Sequence, residues 1–225
     1  MNIFYGNIID KKGTLASSDI IHATKVLRKK EGDSIYITNG EGTLAQGTIQ
    51  LVSKKTVEVL INSTKTFPKP KKLHIAIAPT KSNDRFEFFL EKATEIGISE
   101  ITPIICYHSE RKKINIERYQ KILIAAIKQS QNFHLPKLND SLNFNQFITQ
   151  AKAKTKYIAH CENETKKALI EKDDVLVLIG PEGDFSLEEI NLAIQNGYVP
   201  LTLGNSRLRT ETAGIVTAVL FNNEQ

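Results

Sequence analysis

Apolar and polar positions first alternate with a period of two. Ser34-Ile35-Tyr36-Ile37-Thr38, Thr43 to Leu51 and Thr56 to Ile61 are alternating or β-branched runs. Asn39-Gly40-Glu41-Gly42 and Ser53-Lys54-Lys55 separate them, so the pattern predicts hairpins and a small β-barrel. Ile21, Val26 and Leu27 lie among basic residues in Ile20 to Lys29, which predicts one short helix on that barrel. Beyond residue 72 the period changes. Leu73 to Ala78, Ile101 to Ile105, Tyr157 to Ala159, Val175 to Ile179 and Val199 to Leu203 are short apolar strands, and the fourth reads as buried on both faces. Between them, Phe86, Phe89, Leu90 and Ala93 recur at helical spacing before Gly97, and Tyr119, Ile122, Leu123 and Ala126 repeat it. Ser186-Leu187-Glu188-Glu189 fits a capping box, with Gly197 closing that helix and Thr210 to Phe221 forming the last. Strands alternating with helices predict an α/β layer on a mostly parallel sheet.

Phe67-Pro68-Lys69-Pro70-Lys71-Lys72 separates the two patterns, because paired prolines remove backbone donors and hold the chain extended. The expected domains are therefore 1–70 and 71–225. With 40% hydrophobic and 24% charged residues, the composition is that of a globular protein. No apolar run suggests a membrane span, and the first residues lack the charged and apolar regions of a secretory signal, so a cytoplasmic protein is expected. Cys106 and Cys161 lie far apart without metal-ligand spacing, and no metal is expected. Charge is uneven. Residues 1–72 hold 12 basic against 6 acidic residues, 103–156 hold 10 against 3, and 157–225 hold 5 against 11. A basic barrel and a basic stretch beside an acidic one suit a polyanionic partner such as nucleic acid.

Gly180-Pro181-Glu182-Gly183 follows the buried strand and precedes the capped helix. In open α/β folds such a loop, at the carboxyl edge of the sheet, is where small molecules bind. It matches neither a P-loop nor a dinucleotide fingerprint. A second loop, Leu203-Gly204-Asn205-Ser206-Arg207-Leu208-Arg209-Thr210-Glu211-Thr212-Ala213, brings Arg, Thr and Glu to the entrance of the last helix. Two loops of this kind could share one ligand.

In order and distance these two loops resemble the RsmE family of 16S ribosomal RNA uridine-N3 methyltransferases, of the SPOUT superfamily. His22-x-x-x-Val26-Leu27-Arg28-x-x-x-Gly32-Asp33 is similar to the family's N-terminal signature. Lys81, Arg85, Glu87, Lys92-Ala93-Thr94-Glu95-x-Gly97, Ile101-Thr102-Pro103, Ser109-Glu110-Arg111, Gln129-Ser130 and Pro136 follow its central pattern. The resemblance implies a PUA-like RNA-binding β-barrel and a SPOUT α/β domain with a deep trefoil knot, S-adenosylmethionine as cofactor, and a site completed in a homodimer. Carried over by position, it implies that Ala159, His160, Gly180, Pro181, Gly183, Leu203, Gly204 and Leu208 line the cofactor. Lys25, Arg28, Lys29 and Lys30 would follow the RNA backbone, with Arg111, Lys112 and Lys113 as a second contact; Arg28 carries the motif and the lysines follow from charge. The chain departs from the family's pattern at Asn2 (often Arg), Asp184 (Gly), Asn205-Ser206-Arg207 (Pro-Arg-Ile) and Gln131-Asn132 (Gly-Arg).

Methylating uridine N3 needs in-line placement of the methyl donor and help for an anion spread over N3, O2 and O4. Arg209 is the candidate to stabilise that anion or to hold a phosphate. Glu211 either orients Arg209 or takes the proton, and the orienting role is preferred. Two alternatives carry the same motifs. One is a SPOUT enzyme acting on another RNA or on a ribose 2′-oxygen; the other is a non-enzymatic RNA-binding protein of ribosome assembly.

Overall fold

A computed structural model describes residues 2–162, 165–169 and 173–223. The chain divides into two compact units, Met1–Lys69 with Ile124–Leu135, and Pro70–Leu123 with Pro136–Gln225. In the first, β1 (Ile3–Ile9), β2 (Lys12–Leu15), β3 (Ser34–Thr38), β4 (Thr43–Val52) and β5 (Val57–Thr66) close a barrel in the order β1-β2-β5-β4-β3. Alternation does what it predicts: Ile35, Ile37, Ala45, Ile49, Val57, Val59 and Ile61 point inward and are buried. Irregularities between Gln46 and Gly47 and between Ile49 and Leu51 bend the long β4–β5 ribbon so that the barrel can close. The first two strands were not apparent in the sequence pattern.

The helix expected over Ile20 to Lys29 is shorter and earlier. Helix α1 (Ser17–Ile21) runs into a π-helical turn, His22–Val26. The Thr24 hydroxyl donates to the Ile20 carbonyl at 2.7 Å, and the Leu27 amide reaches back five residues to the His22 carbonyl at 2.9 Å. Arg28 then takes a positive φ of 52°, which ends the turn. The boundary expected at residue 70 also misses a segment, because Ile124–Leu135 packs with the barrel. Lys128 donates to both Asp19 carboxylate oxygens at 2.9 and 2.8 Å, and the Tyr5 amide donates to the same carboxylate at 2.6 Å. The acid sits 14 residues from Tyr5 and 109 from Lys128, too far for a local pattern to reveal.

The second unit is a sheet in the order β12-β10-β11-β6-β7-β8, made of β6 (Leu73–Ile77), β7 (Glu100–Ile105), β8 (Lys137–Leu138), β10 (Thr155–Ala159), β11 (Val175–Ile179) and β12 (Val199–Leu201). The short β9 (Leu142–Asn143) pairs with β7, and every pairing in this unit is parallel. β11 is buried along its whole length, as an uninterrupted apolar run in mid-sheet requires. Helices α2 (Asn83–Ile96), α3 (Ile116–Ser130), α4 (Phe144–Gln150) and α5 (Leu187–Gln195) connect the strands, and α6 (Thr210–Asn222) follows the last of them. Gly97 closes α2 at φ 106°, and Ser186 and Glu189 form the capping box of α5. Helix α6 packs against α2 so closely that Gly214 lies under the Phe89 ring. No helix among the described residues is long and apolar enough to cross a membrane.

Candidate active site

Three adjacent parallel strands end level with one another. Ala159 of β10 pairs with Ile179 of β11 on one side and with Leu201 of β12 on the other. Their following segments therefore leave the same edge of the sheet together, and the two glycine loops meet there although 19 residues separate them. A cavity of about 330 Å³ lies between these segments. Its wall is apolar at Ala159, Ile179, Pro181, Leu201, Leu203, Leu208 and Ala213, and charged at Glu182, Asp184, Lys166, Arg207 and Arg209. Such a volume and mixture suit a small amphiphilic ligand.

Direct bonds hold the loops in place. The buried Thr210 hydroxyl donates to the Gly180 carbonyl at 3.0 Å and so joins the second loop to the first. The Lys81 amide donates to a Glu182 carboxylate oxygen at 2.9 Å. Asp184 stands at φ 63°, in the left-handed region. Its two carboxylate oxygens accept from the Phe185 amide at 2.8 Å and the Cys161 amide at 2.7 Å. Glycines matter at two places. Gly204, at φ 124°, leaves open space where a side chain would stand, and at Gly183 a Cβ would come within 3.0 Å of the His108 side chain.

Of the residues implied for the cofactor, Ala159, His160, Gly180, Pro181, Leu203, Gly204 and Leu208 all line the cavity, and Gly183 does not. Gly183 packs on His108 outside it. Arg209 is exposed on the cavity wall. Glu211 is not with it: its buried carboxylate faces Arg85 of α2, with Oε1 3.9 Å from Nε, and Oε2 has no hydrogen-bond partner among the described residues. The expected Glu211–Arg209 pair is thus replaced by Glu211–Arg85, because Glu211 and Gly214 share the helix face turned to α2. Arg111 is likewise engaged within the protein. Its guanidinium donates to the Thr80 and Lys81 carbonyls and to Asn83 Oδ1, at 3.1, 2.9 and 3.2 Å, which leaves it a clamp on the loop before α2. Lys112 and Lys113 beside it are exposed.

In the barrel unit Lys25, Arg28 and Lys30 are exposed on the π-helical turn and the segment after it, while Lys29 is half-buried and donates to the Ser34 carbonyl. Gly32, at φ 90°, and Asp33, which accepts the Lys30 amide, shape the turn that presents them. The sequence reading missed Cys161, Lys166 and Thr202 as cavity residues. Cys161 lies two residues beyond β10 and Thr202 directly after β12, so both could have been found from strand register. Lys166 reaches the site because residues 165–169 run beside β12, where Lys167 pairs with Leu201, and its ammonium donates to the His160 carbonyl at 2.7 Å. Burial, reinforced by the Asp184 carboxylate, pushes the Cys161 thiol up from its ordinary range, so it is protonated at neutral pH. No group of acidic, histidine and cysteine side chains among the described residues is arranged to hold a metal ion.

Family models match both parts of the chain: an RNA methyltransferase domain over residues 67–222 and an RNA methyltransferase PUA domain over 15–62. The ribosomal RNA small subunit methyltransferase E of Buchnera aphidicola subsp. Acyrthosiphon pisum is 32% identical over 206 residues, covering 87% of this chain and 81% of that protein. The chain belongs to the RsmE family of ribosomal RNA small subunit methyltransferases. A solved family member, the ribosomal RNA small subunit methyltransferase E of Neisseria gonorrhoeae bound to S-adenosyl methionine, superposes with a TM-score of 0.83 at 25% identity, over 97% of this chain and 95% of that one. A methyltransferase structure from Legionella pneumophila, in complex with the cofactor SAM, gives 0.86 at 31% identity, over 98% and 96%. The RsmE fold, a five-stranded barrel followed by a parallel α/β domain, is thus the fold of this chain.

Proposed function

We propose that this chain methylates uridine N3 in 16S ribosomal RNA of the small subunit, with S-adenosylmethionine as the donor. The observation that carries the reading is the cavity at the level ends of β10, β11 and β12, roofed by both glycine loops. Its donor set suits that cofactor. The apolar wall and open backbone at Gly204 admit a flat base, Lys166 and Arg207 suit a carboxylate, and Glu182 suits a cationic centre. S-adenosylmethionine, when bound, supplies an electrophilic methyl group.

The residues of the chain do the rest. Ala159, His160, Gly180, Pro181, Leu203, Gly204 and Leu208 enclose the donor and exclude water. Arg209, exposed at the start of α6, offers its guanidinium to the negative charge that develops on the uracil ring or to an adjoining phosphate. Glu211 acts at one remove, fixing α6 to α2 through Arg85. Lys25, Arg28, Lys29 and Lys30, with Lys112 and Lys113, neutralise RNA phosphates. The family's trefoil knot and homodimer form part of the same reading, and sedimentation of the purified protein tests the dimer.

The deciding experiment incubates the protein and methyl-labelled S-adenosylmethionine with small ribosomal subunits lacking the modification, then digests the RNA. Label in 3-methyluridine at one position is the expected result. Label in a ribose 2′-O-methyl nucleoside or in tRNA would replace the substrate. Cofactor binding without any labelled RNA would point to a different RNA substrate, and a folded protein that does not bind the cofactor would favour an assembly protein.

A further inference from the structure

Asp184 occupies a left-handed backbone position, φ 63°, that glycine takes without strain and that a side chain must justify by its contacts. Its contacts are specific. One carboxylate oxygen closes a local turn on the Phe185 amide, and the other crosses to the Cys161 amide, 23 residues earlier and just beyond the end of β10. The Asp184 carbonyl also meets His108 Nδ1 at 3.1 Å. Both Asp184 and Cys161 line the cavity, as do Ala159 and His160 immediately before Cys161. A carboxylate bonded to two amides is a charge-assisted clamp, stronger than a neutral turn contact.

We propose that Asp184 is a positioning residue for the methyl donor: it ties the Ala159–Cys161 strand end to the glycine loop and so fixes the width of the cavity between them. The inference rests on the reading that the cavity takes S-adenosylmethionine. In this chain a negatively charged side chain does from the loop what backbone alone cannot do, since a glycine at 184 has nothing to offer the Cys161 amide. Because glycine also removes the left-handed strain, Asp184→Gly offsets part of the lost bonding, and the change should be felt in the cavity more than in overall stability.

The chain carries its own reporter. It has two cysteines, of which Cys106 is buried and Cys161 is exposed on the cavity wall, so a chromogenic thiol reagent reads Cys161. In Asp184→Gly, Cys161 should react several-fold faster, because a strand end freed from the loop turns its partly desolvated thiol further towards the reagent. Removing the carboxylate also lowers the thiol's protonation midpoint, so the rate is followed across pH. A released strand end raises the plateau at high pH, whereas a charge effect alone moves only the midpoint. For methyl transfer, KM for S-adenosylmethionine should rise about tenfold in Asp184→Gly, a loss of about 1.4 kcal/mol. The rate at saturating cofactor should fall less than twofold, and Asp184→Asn, which keeps one acceptor oxygen, should lie between. An unchanged labelling plateau overturns the clamp. A higher plateau with unchanged KM overturns its role in positioning the donor. If wild-type protein neither binds the cofactor nor is protected by it at Cys161, the donor reading itself fails, and the proposal with it; that outcome is seen in the wild type, before any variant is compared.

Discussion

Gly214 sets the closest approach of α6 to the rest of its unit, and replacing it with alanine puts two physical effects in opposition. Alanine is favoured over glycine in a helix interior by about 1 kcal/mol. Against this, the added methyl would stand 2.5 and 2.6 Å from Phe89 Cε2 and Cδ2 and 3.1 Å from Ile77 Cδ1. Carbon atoms rest at roughly 3.5–4.0 Å, so the ring or the helix must move by about 1 Å. Neither is free to do so. Phe89 is fully buried, with the Phe86 ring 5.9 Å away, and Ile77 belongs to a central strand. Overpacking of this severity costs about 3 kcal/mol, the upper end of its range, and a methyl that displaces its neighbours recovers little burial. The net loss is about 2 kcal/mol, which for a chain of this size lowers the melting temperature by roughly 4–8 °C. Thermal unfolding of Gly214→Ala measures it. Because Thr210 and Ala213 of the same helix line the cavity, affinity for S-adenosylmethionine should fall as well. Phe89→Leu in the same chain should recover part of the loss, with a coupling of about 1 kcal/mol or more. A Gly214→Ala protein that melts at or above the wild-type temperature refutes the reasoning.

Three further outcomes are expected. Burial holds His74 down to about 4, against the pull of Glu100, while the unfolded chain takes its proton near 6.5; the unfolded state is protonated first, so stability present above pH 6.5 drains away as pH falls towards 4, by roughly 2–3 kcal/mol. Urea unfolding at pH 7 and 4.5 should show that loss, and His74→Gln should flatten it. Thr210→Val leaves the Gly180 carbonyl without its hydroxyl partner and should cost about 1–2 kcal/mol in chemical unfolding, with weaker cofactor binding by calorimetry; Thr210→Ser should restore both. Lys128→Met leaves the buried Asp19 carboxylate, among the described residues, with the Tyr5 amide alone, a loss of about 3 kcal/mol that Lys128→Met with Asp19→Leu should partly recover; equal melting of single and double variants would argue against the ion pair.

Local signals carried much of the architecture. The capping box of Ser186 and Glu189, the glycine closing α2 and the continuous apolar run of β11 each specify their element from neighbouring residues alone, and each is present. The cavity followed from the same logic, since seven of the eight residues implied for the cofactor sit on strand ends or their loops. What local pattern could not convey was direction. Glu211 and Arg209 are two residues apart, but helix geometry turns the first to Arg85 and leaves the second on the cavity. Arg111, read as a free cation in a basic run, spends its donors on two carbonyls and an asparagine whose positions depend on the fold of a preceding loop. The same limit hid Lys128, whose partner lies 109 residues away.

That separation has a consequence for how the chain is made. When the barrel's five strands have left the ribosome, the Asp19 carboxylate has its Tyr5 amide but no cation, and the helix end that belongs to the unit has not been synthesised. Lys128 follows the last barrel strand by 62 residues, so at 5–20 residues per second it arrives roughly 3–12 s later. Until then the first domain of a ribosome-modifying protein is a closed barrel with a buried charge unanswered, and its last fastening is delivered from inside the domain that follows.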